Sequence, residues 1–421
     1  MASRPRDHLT TSVAGGSPME EPTLKAVPAP APAAETTKPT VDRTRNMPSL
    51  TGLRFYAAMA VVLCHVGINV LPRLTDSRPV IGTFHAIGIA ALSFFFVLSG
   101  FVLTWVTTKK VPVKRFWRRR FFRVYPNHLV TFAVLCVLAA IAGHALSARD
   151  TVATLFLVHA WIPDQHLLYN LWSNAPTWSL GLDLLFYLLF PILLPLVQKI
   201  RPERLWLAFI ATYALIWSVP FVATLLPASE IQQGTGVPWL QMWFMTFFPP
   251  VRMLEFILGM VLAQILIHGK WIRFPLPVAL VLPILAVFAQ GVLPLRFGVA
   301  VLQAVPMALV IGAVATADLG SRATAFGGRK MVFLGEISYA IYLIHWLVVA
   351  YGPIGRTSPG WGGDPSGTSS WPWVIALSVV TIAVSIGLAV LLHLFVERPA
   401  MNRWSRSSRP PQSVPVTTAP Q

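Results

Sequence analysis

The sequence predicts an all-α, polytopic integral membrane protein of about ten transmembrane helices with both termini in the cytoplasm. Three observations carry this. Of the 421 residues, 55% are hydrophobic and only 12% charged, about half the roughly 25% charge of a soluble domain, and the mean hydropathy is +0.63. Apolar runs of about 20 residues, the length a helix needs to cross a hydrocarbon core of roughly 30 Å, recur along the chain. Lys and Arg collect between those runs, and mostly on alternate connections.

In chain order, residues 1–46 are rich in Pro, Ala, Thr and Ser and nearly devoid of large apolar side chains. Such a segment cannot bury enough surface to offset its ordering entropy and is expected to be a disordered cytoplasmic tail. No apolar stretch lies close to Met1, so no cleaved signal peptide is expected. Residues 47–404 form one membrane domain. Its spans are expected at about 49–71, 84–106, 127–146, 178–198, 205–226, 243–267, 275–291, 296–317, 331–351 and 371–396. The seventh is short, and Pro249–Pro250 breaks the sixth, which requires neighbouring protein to cover the freed backbone groups. Residues 405–421 repeat the character of the first tail. Cys64 and Cys136 sit inside apolar runs and offer neither a disulfide framework nor metal spacing.

Orientation follows from counting cations. With ten spans, one side of the membrane collects 26 of the 33 Lys and Arg and the other only Arg73, Arg78, Arg149, Arg296 and Arg356. That asymmetry places both termini in the cytoplasm. The net charge of +17 is thereby explained by topology. No zinc-finger, helix-turn-helix or aromatic-basic pattern accompanies it, and no nucleic-acid partner is expected.

Ionisable residues inside spans are costly and mark candidate sites. Arg54 and His65 share the first span eleven residues apart. That is close to three turns, so they lie on one face, separated by about 16 Å along the axis. Arg54 either snorkels to cytoplasmic headgroups or belongs to a site; His65 is either an interhelical hydrogen-bonding residue or a proton-transfer group. Asp183 opens the fourth span one turn from Ser179 and requires a cation or several donors, for which His65 and Arg54 are the candidates. Arg252 and Glu255 are spaced to pair within the sixth span, and Glu336 and His345 lie on the ninth. Between Lys109 and Arg123 eight of fifteen residues are cationic, a density suited to phosphate or to anionic lipid headgroups.

Taken together these segments resemble the acyltransferase 3 family, membrane acyltransferases that include O-antigen acetylases and antibiotic-modifying enzymes. Leu50-Thr-Gly-Leu-Arg54 to Cys64-His65 is similar to the family's Arg-x10-His helix. Phe94-Phe-Phe-Val-Leu-Ser99-Gly100-Phe, the basic Arg119-Arg120-Phe-Phe-Arg123-Val-Tyr-Pro126, and Pro176-Thr-Trp178-Ser179-Leu180 leading to Phe186-Tyr187 follow in the expected order. Gly335-Glu-Ile-Ser338-Tyr339 to His345 and Glu397-Arg-Pro399 complete it. One departure is Asp183, which stands where the family usually has glutamate and keeps the carboxylate with one methylene less reach. No soluble esterase-like domain follows the tenth span, so this chain is expected to act alone.

The resemblance implies transfer of an acyl group, acetyl or another short acyl, from acyl-CoA to a hydroxyl of a sugar, a cell-envelope glycan or a macrolide. It implies a multi-pass enzyme of the cell membrane, with membrane lipids around it and no metal. In that reading Arg54, Arg119, Arg120 and Arg123 meet the cofactor, and Trp178, Ser179, Tyr187 and His345 meet the substrate. His65 removes the hydroxyl proton, with Asp183 orienting its ring. A proton-coupled secondary transporter or flippase is the rival reading, since buried His, Arg and Asp serve such carriers equally well; no inverted hydropathy repeat supports it.

Overall fold

A computed structural model describes residues 43, 46–73, 78–107, 112–169, 174–228, 236–290, 293–298, 300–356 and 370–405. The expected tails lie outside these residues, apart from Arg43, Asn46 and Ser405, as do Lys109 and Lys110 of the basic stretch. Ten apolar helices make up the described membrane part. They are α1 Pro48–Val70, α2 Arg78–Val106, α3 Val113–Ile141, α4 Trp178–Gln198, α5 Leu205–Ala223, α6 Pro249–Ile267, α7 Leu276–Gln290, α8 Ala304–Leu319, α9 Ser338–Tyr351 and α10 Trp371–Leu392. Eight of the ten, taken with the short helices that extend some of them, are long and apolar enough to cross a membrane, whereas α7 and α8 are shorter.

Local chemistry sets where several of these helices begin and break. The first helix has no acidic residue in its own first turn. It borrows Asp318 from the end of α8, which accepts from the Ser49 backbone N–H at 3.0 Å and the Ser49 hydroxyl at 2.5 Å. A carboxylate there complements the helix dipole and satisfies an orphan amide. The sixth span, expected to break at its two prolines, does so at Phe247–Phe248. Trp239–Thr246 precedes the break, and Pro249 opens α6 at a position where its missing N–H costs nothing. Trp239 and Trp243 donate to the Pro163 and Ala160 carbonyls at 2.9 and 3.0 Å, covering the interruption with protein.

The ninth span, expected to be continuous, is two helices, Arg329–Glu336 and α9, meeting at Ile337. At the end of the first, Gly335 presses onto α1 so closely that a Cβ would run into the Thr51 carbonyl. The tenth runs on past its expected end through the π-helical turns His393–Glu397 and Met401–Ser405. Pro399 lies between them and withdraws an amide from the ladder, which favours such a slip.

Packing is densest where α2 crosses α6. A Cβ on Gly100 would meet the Phe256 carbonyl, and one on Gly259 the Val97 carbonyl, so the two backbones touch where both residues lack a side chain. Around this crossing Phe96, Phe186 and Phe256 stack edge and face with centroids 4.9–5.4 Å apart. A second apolar cluster gathers α1, α9, α10 and the end of α3. A third, smaller one joins Val61, Ala91, Val124, Leu180, Tyr342 and Leu343, from α1, α2, α3, α4 and α9. The charged and imidazole side chains described next come from these same helices.

Candidate active site

Four cationic side chains converge on one level of the bundle. Arg54 of α1 lies within electrostatic reach of Arg123 of α3, Asp183 and Tyr187 of α4, and Glu397 beyond α10. Arg120 faces Tyr187, Arg123, Asp183 and Arg119, and its guanidinium sits 5.5 Å over both the Phe116 and Tyr187 rings. Tyr187 is hydrogen-bonded with Ser99 of α2, and its carbonyl accepts from the Trp117 indole at 3.2 Å. Asp183 makes no direct ion pair: among the described residues the pairs are Arg149–Asp164, Arg252–Glu255 and His393–Glu397. Arg54, Ser99, Arg119, Arg120, Arg123, Asp183 and Tyr187 are all half-buried. Charges that face one another without touching, yet keep accessible surface inside an apolar bundle, line polar space rather than lipid. Four guanidinium groups against the carboxylates of Asp183 and Glu397 leave the site electropositive. Glu397 is itself engaged, accepting from Asn127 at 3.2 Å and pairing with His393 at 3.0 Å.

Eleven residues further along the same face of α1, about 16 Å away by helical rise, stands His65. Its partner is a histidine. His65 Nδ1 lies 3.0 Å from His345 Nε2, and the rings are 5.1 Å apart with Trp346 edge-on to His65 at 5.1 Å. The other His345 nitrogen, Nδ1, faces the Tyr342 carbonyl at 2.6 Å and the Ile341 carbonyl at 3.3 Å. A carbonyl only accepts, so His345 Nδ1 carries the proton and, in the neutral ring, Nε2 is bare. His65 Nδ1 therefore donates to it, and His65 presents a bare Nε2. His345 has no exposed surface, whereas His65 is half-buried. Of the two rings only His65 keeps accessible surface.

Behind His345 the chain is fixed in turn. The Tyr342 hydroxyl donates to the Pro176 carbonyl and meets the Ser179 hydroxyl at 2.7 Å. Asn174 donates to the Leu343 carbonyl at 3.1 Å. The Pro176–Leu180 segment thus clamps the turn of α9 from which the His345 ring hangs.

Comparison with known proteins agrees with this architecture. The acyltransferase 3 family model, described as an acyltransferase domain, matches residues 47–390. The chain belongs to the acyltransferase 3 family. Acyltransferase MdmB of Streptomyces mycarofaciens is 39% identical over 388 residues, covering 90% of this chain and 96% of that protein. The exopolysaccharide production protein ExoZ of Rhizobium meliloti is 27% identical over 76% of this chain and 92% of its own length. The O-acetyltransferase OatA of Staphylococcus aureus is 23% identical over 73% of this chain, which spans 51% of OatA. No solved structure gives a significant match. This member of the acyltransferase 3 family is accordingly a multi-pass membrane transferase that takes its acyl group from a donor.

Of the residues expected at its site, Arg54, Arg119, Arg120, Arg123, Asp183 and Tyr187 come together in the electropositive level, and His65 stands apart from them. Asp183 was expected to face His65 or Arg54; Arg54 and Arg120 are the charges that face it, whereas the titratable groups facing His65 are His345 and His85. Ser179 is buried against Tyr342, and Trp178 packs on Phe247 at 4.7 Å. Two residues that lie within the quoted Gly335-to-His345 motif were given no role from the sequence. Tyr342 anchors His345, and Tyr339 donates to the Val124 carbonyl at 2.9 Å beside the charged level. Their signal was present in the three-residue spacing Tyr339-x-x-Tyr342-x-x-His345, which winds one polar stripe up an otherwise apolar helix.

Proposed function

We propose that this protein is a membrane O-acyltransferase that moves an acetyl or other short acyl group from acyl-CoA to a hydroxyl of a sugar, a cell-envelope glycan or a macrolide. The observation that carries this is half-buried His65, whose Nδ1 is engaged by His345 while Nε2 is left for a proton, about 16 Å along α1 from Arg54 of the arginine group. Arg54, Arg119, Arg120 and Arg123 suit the phosphates of CoA, since guanidinium forks match phosphate oxygens, and the extended arm of CoA then reaches toward His65. Burial of the thioester in the bundle shields it from hydrolysis. His65 accepts the hydroxyl proton, a task for which imidazole is suited near neutral pH. The relatives' names support the chemistry: one is an O-acetyltransferase and another serves exopolysaccharide production.

The decisive assay supplies purified protein with radiolabelled acetyl-CoA and a panel of sugar, glycan and macrolide acceptors. A covalently labelled acceptor is expected, whereas movement of a solute across vesicles without labelled product would identify a carrier. His65→Ala should insert normally and lose transfer by on the order of 10²- to 10⁴-fold, the range contributed by a general base. A fully active variant would remove His65 from the chemistry.

A further inference from the structure

We infer that His65 and His345 form a neutral imidazole dyad in which His345 is a positioning residue, oriented by Tyr342 and Ser179, and not a group that touches substrate. The inference rests on the reading of His65 as the base. It assigns the orienting role to a histidine where a carboxylate was expected.

The argument is one of proton inventory. The His345 Nδ1–H is committed to the Tyr342 carbonyl at 2.6 Å, with the Ile341 carbonyl at 3.3 Å. Its Nε2 can then only accept, and among the described residues the group at that nitrogen is His65 Nδ1 at 3.0 Å. Both rings are locked in the Nδ1–H tautomer. A carboxylate in the place of His345 would orient His65 equally well but bring a charge into a residue position with no exposed surface, where desolvation is severe. The imidazole avoids that cost while the pair is at rest. In the reaction the acceptor O–H proton moves to His65 Nε2 as the oxygen bonds to the thioester carbonyl carbon. The resulting imidazolium keeps its Nδ1–H on His345 Nε2, now as a charge-assisted hydrogen bond. When the C–S bond breaks, the thiolate takes the proton from His65 Nε2, leaving ester, thiol and the neutral dyad.

Tyr342 and Ser179 act one step further back. The Tyr342 carbonyl is the nearer acceptor for His345, and its hydroxyl is pinned between Ser179 and the Pro176 carbonyl. That fixes the rotation of α9 about its axis and hence the aim of the His345 ring. Ser179 is thereby a residue of the dyad's frame rather than of the acceptor pocket.

The test compares His345→Gln, which offers an amide oxygen near the position of Nε2, with His345→Leu, which offers nothing. Activity is followed as label transfer from acetyl-CoA to whichever panel acceptor takes it. His345→Gln should stay within about tenfold of the parent, and His345→Leu should fall by on the order of 10²- to 10⁴-fold. Tyr342→Phe should lower kcat with the acetyl-CoA KM unchanged, and should have no further effect in the His345→Leu background. Nitrogen-15 NMR of histidine-labelled protein should show bare Nε2 and protonated Nδ1 on both residues, assigned by loss of signals in the His65→Ala and His345→Leu proteins. Gln and Leu variants equally inactive would make His345 a proton carrier and overturn the proposal. So would additive effects of Tyr342→Phe, or Nε2–H tautomers. An inactive parent with both rings in the Nδ1–H tautomer would instead sink the acyl-transfer reading and leave the dyad's geometry standing.

Discussion

At the scale of single residues, the buried charges of this protein divide into two kinds, and accessibility separates them. Arg252 and Glu255 are 1% and 0% exposed, and their closest atoms are 3.1 Å apart. The pair lies under the Phe96 ring, with the guanidinium 5.2 Å from its centroid, but no nitrogen of Arg252 forms a well-aligned hydrogen bond. Such a sealed pair gains Coulomb energy at heavy desolvation cost, so its net contribution is small while the loss of one member is severe. Glu255→Leu should therefore destabilise the folded protein by about 3–5 kcal/mol. Arg252→Met combined with Glu255→Leu should recover most of that, read from thermal unfolding in detergent; a double variant worse than the single would show that the pair is a net stabiliser. Their spacing made this pair legible in the sequence. Arg54 and His65 were legible for the same reason, since an ionisable side chain inside an apolar run is conspicuous. The partner of His65 was not, because it lies 280 residues away on another helix and its choice depends on how α1 and α9 are rotated against each other.

At the scale of helices, the sequence marks each apolar run well and its interruptions poorly. Hydropathy alone finds α1, α4 and α5 close to their observed bounds. It misses the break at Ile337 and the π-helical continuation beyond α10, because both arise from backbone packing and hydrogen-bond slippage rather than from composition. Ser99-Gly100 was visible as part of a family motif, but only the structure gives its two residues separate duties: Ser99 meets Tyr187, whereas Gly100 lets α2 reach α6. Gly100→Ala and Gly259→Ala should each cost about 1–3 kcal/mol, since the added methyl collides with a backbone carbonyl that cannot retreat within a packed crossing. Gly82 provides the control. It lies near the start of α2 with open space where a Cβ would stand, and Gly82→Ala should be neutral or stabilising by up to about 1 kcal/mol through helix propensity. Equal losses at Gly82 and Gly100 would mean that the close crossing carries no special weight.

At the scale of the whole molecule, the proposed chemistry requires the arginine level to face the compartment that supplies acyl-CoA, so the topology must be right. Cation counts lead to the expectation that both termini lie inside, whether ten helices cross or eight. The weak points are α7 and α8, with 15 and 16 residues. At about 1.5 Å per residue they reach roughly 23 Å, short of a hydrocarbon core of about 30 Å. They cross only if the adjoining turn residues complete the distance or the bilayer thins locally. If instead they formed a re-entrant hairpin, every other connection would keep its side and the charge count would barely change, because only Arg296 lies between them. Arg296 is exposed and is the residue that distinguishes the two cases. An Arg296→Cys protein should react with a membrane-impermeant maleimide in intact cells, as should Ser147→Cys. Glu203→Cys and Arg322→Cys should react only after the cells are opened. Buried Cys64 and half-buried Cys136 give the background in the parent protein. Protection of Arg296→Cys together with labelling at Ser147→Cys would reduce the crossing helices to eight and leave the arginine level on the cytoplasmic side. The opposite pattern at Ser147 and Glu203 would invert the protein, put the arginines outside, and leave cytoplasmic acyl-CoA with no cationic mouth to enter.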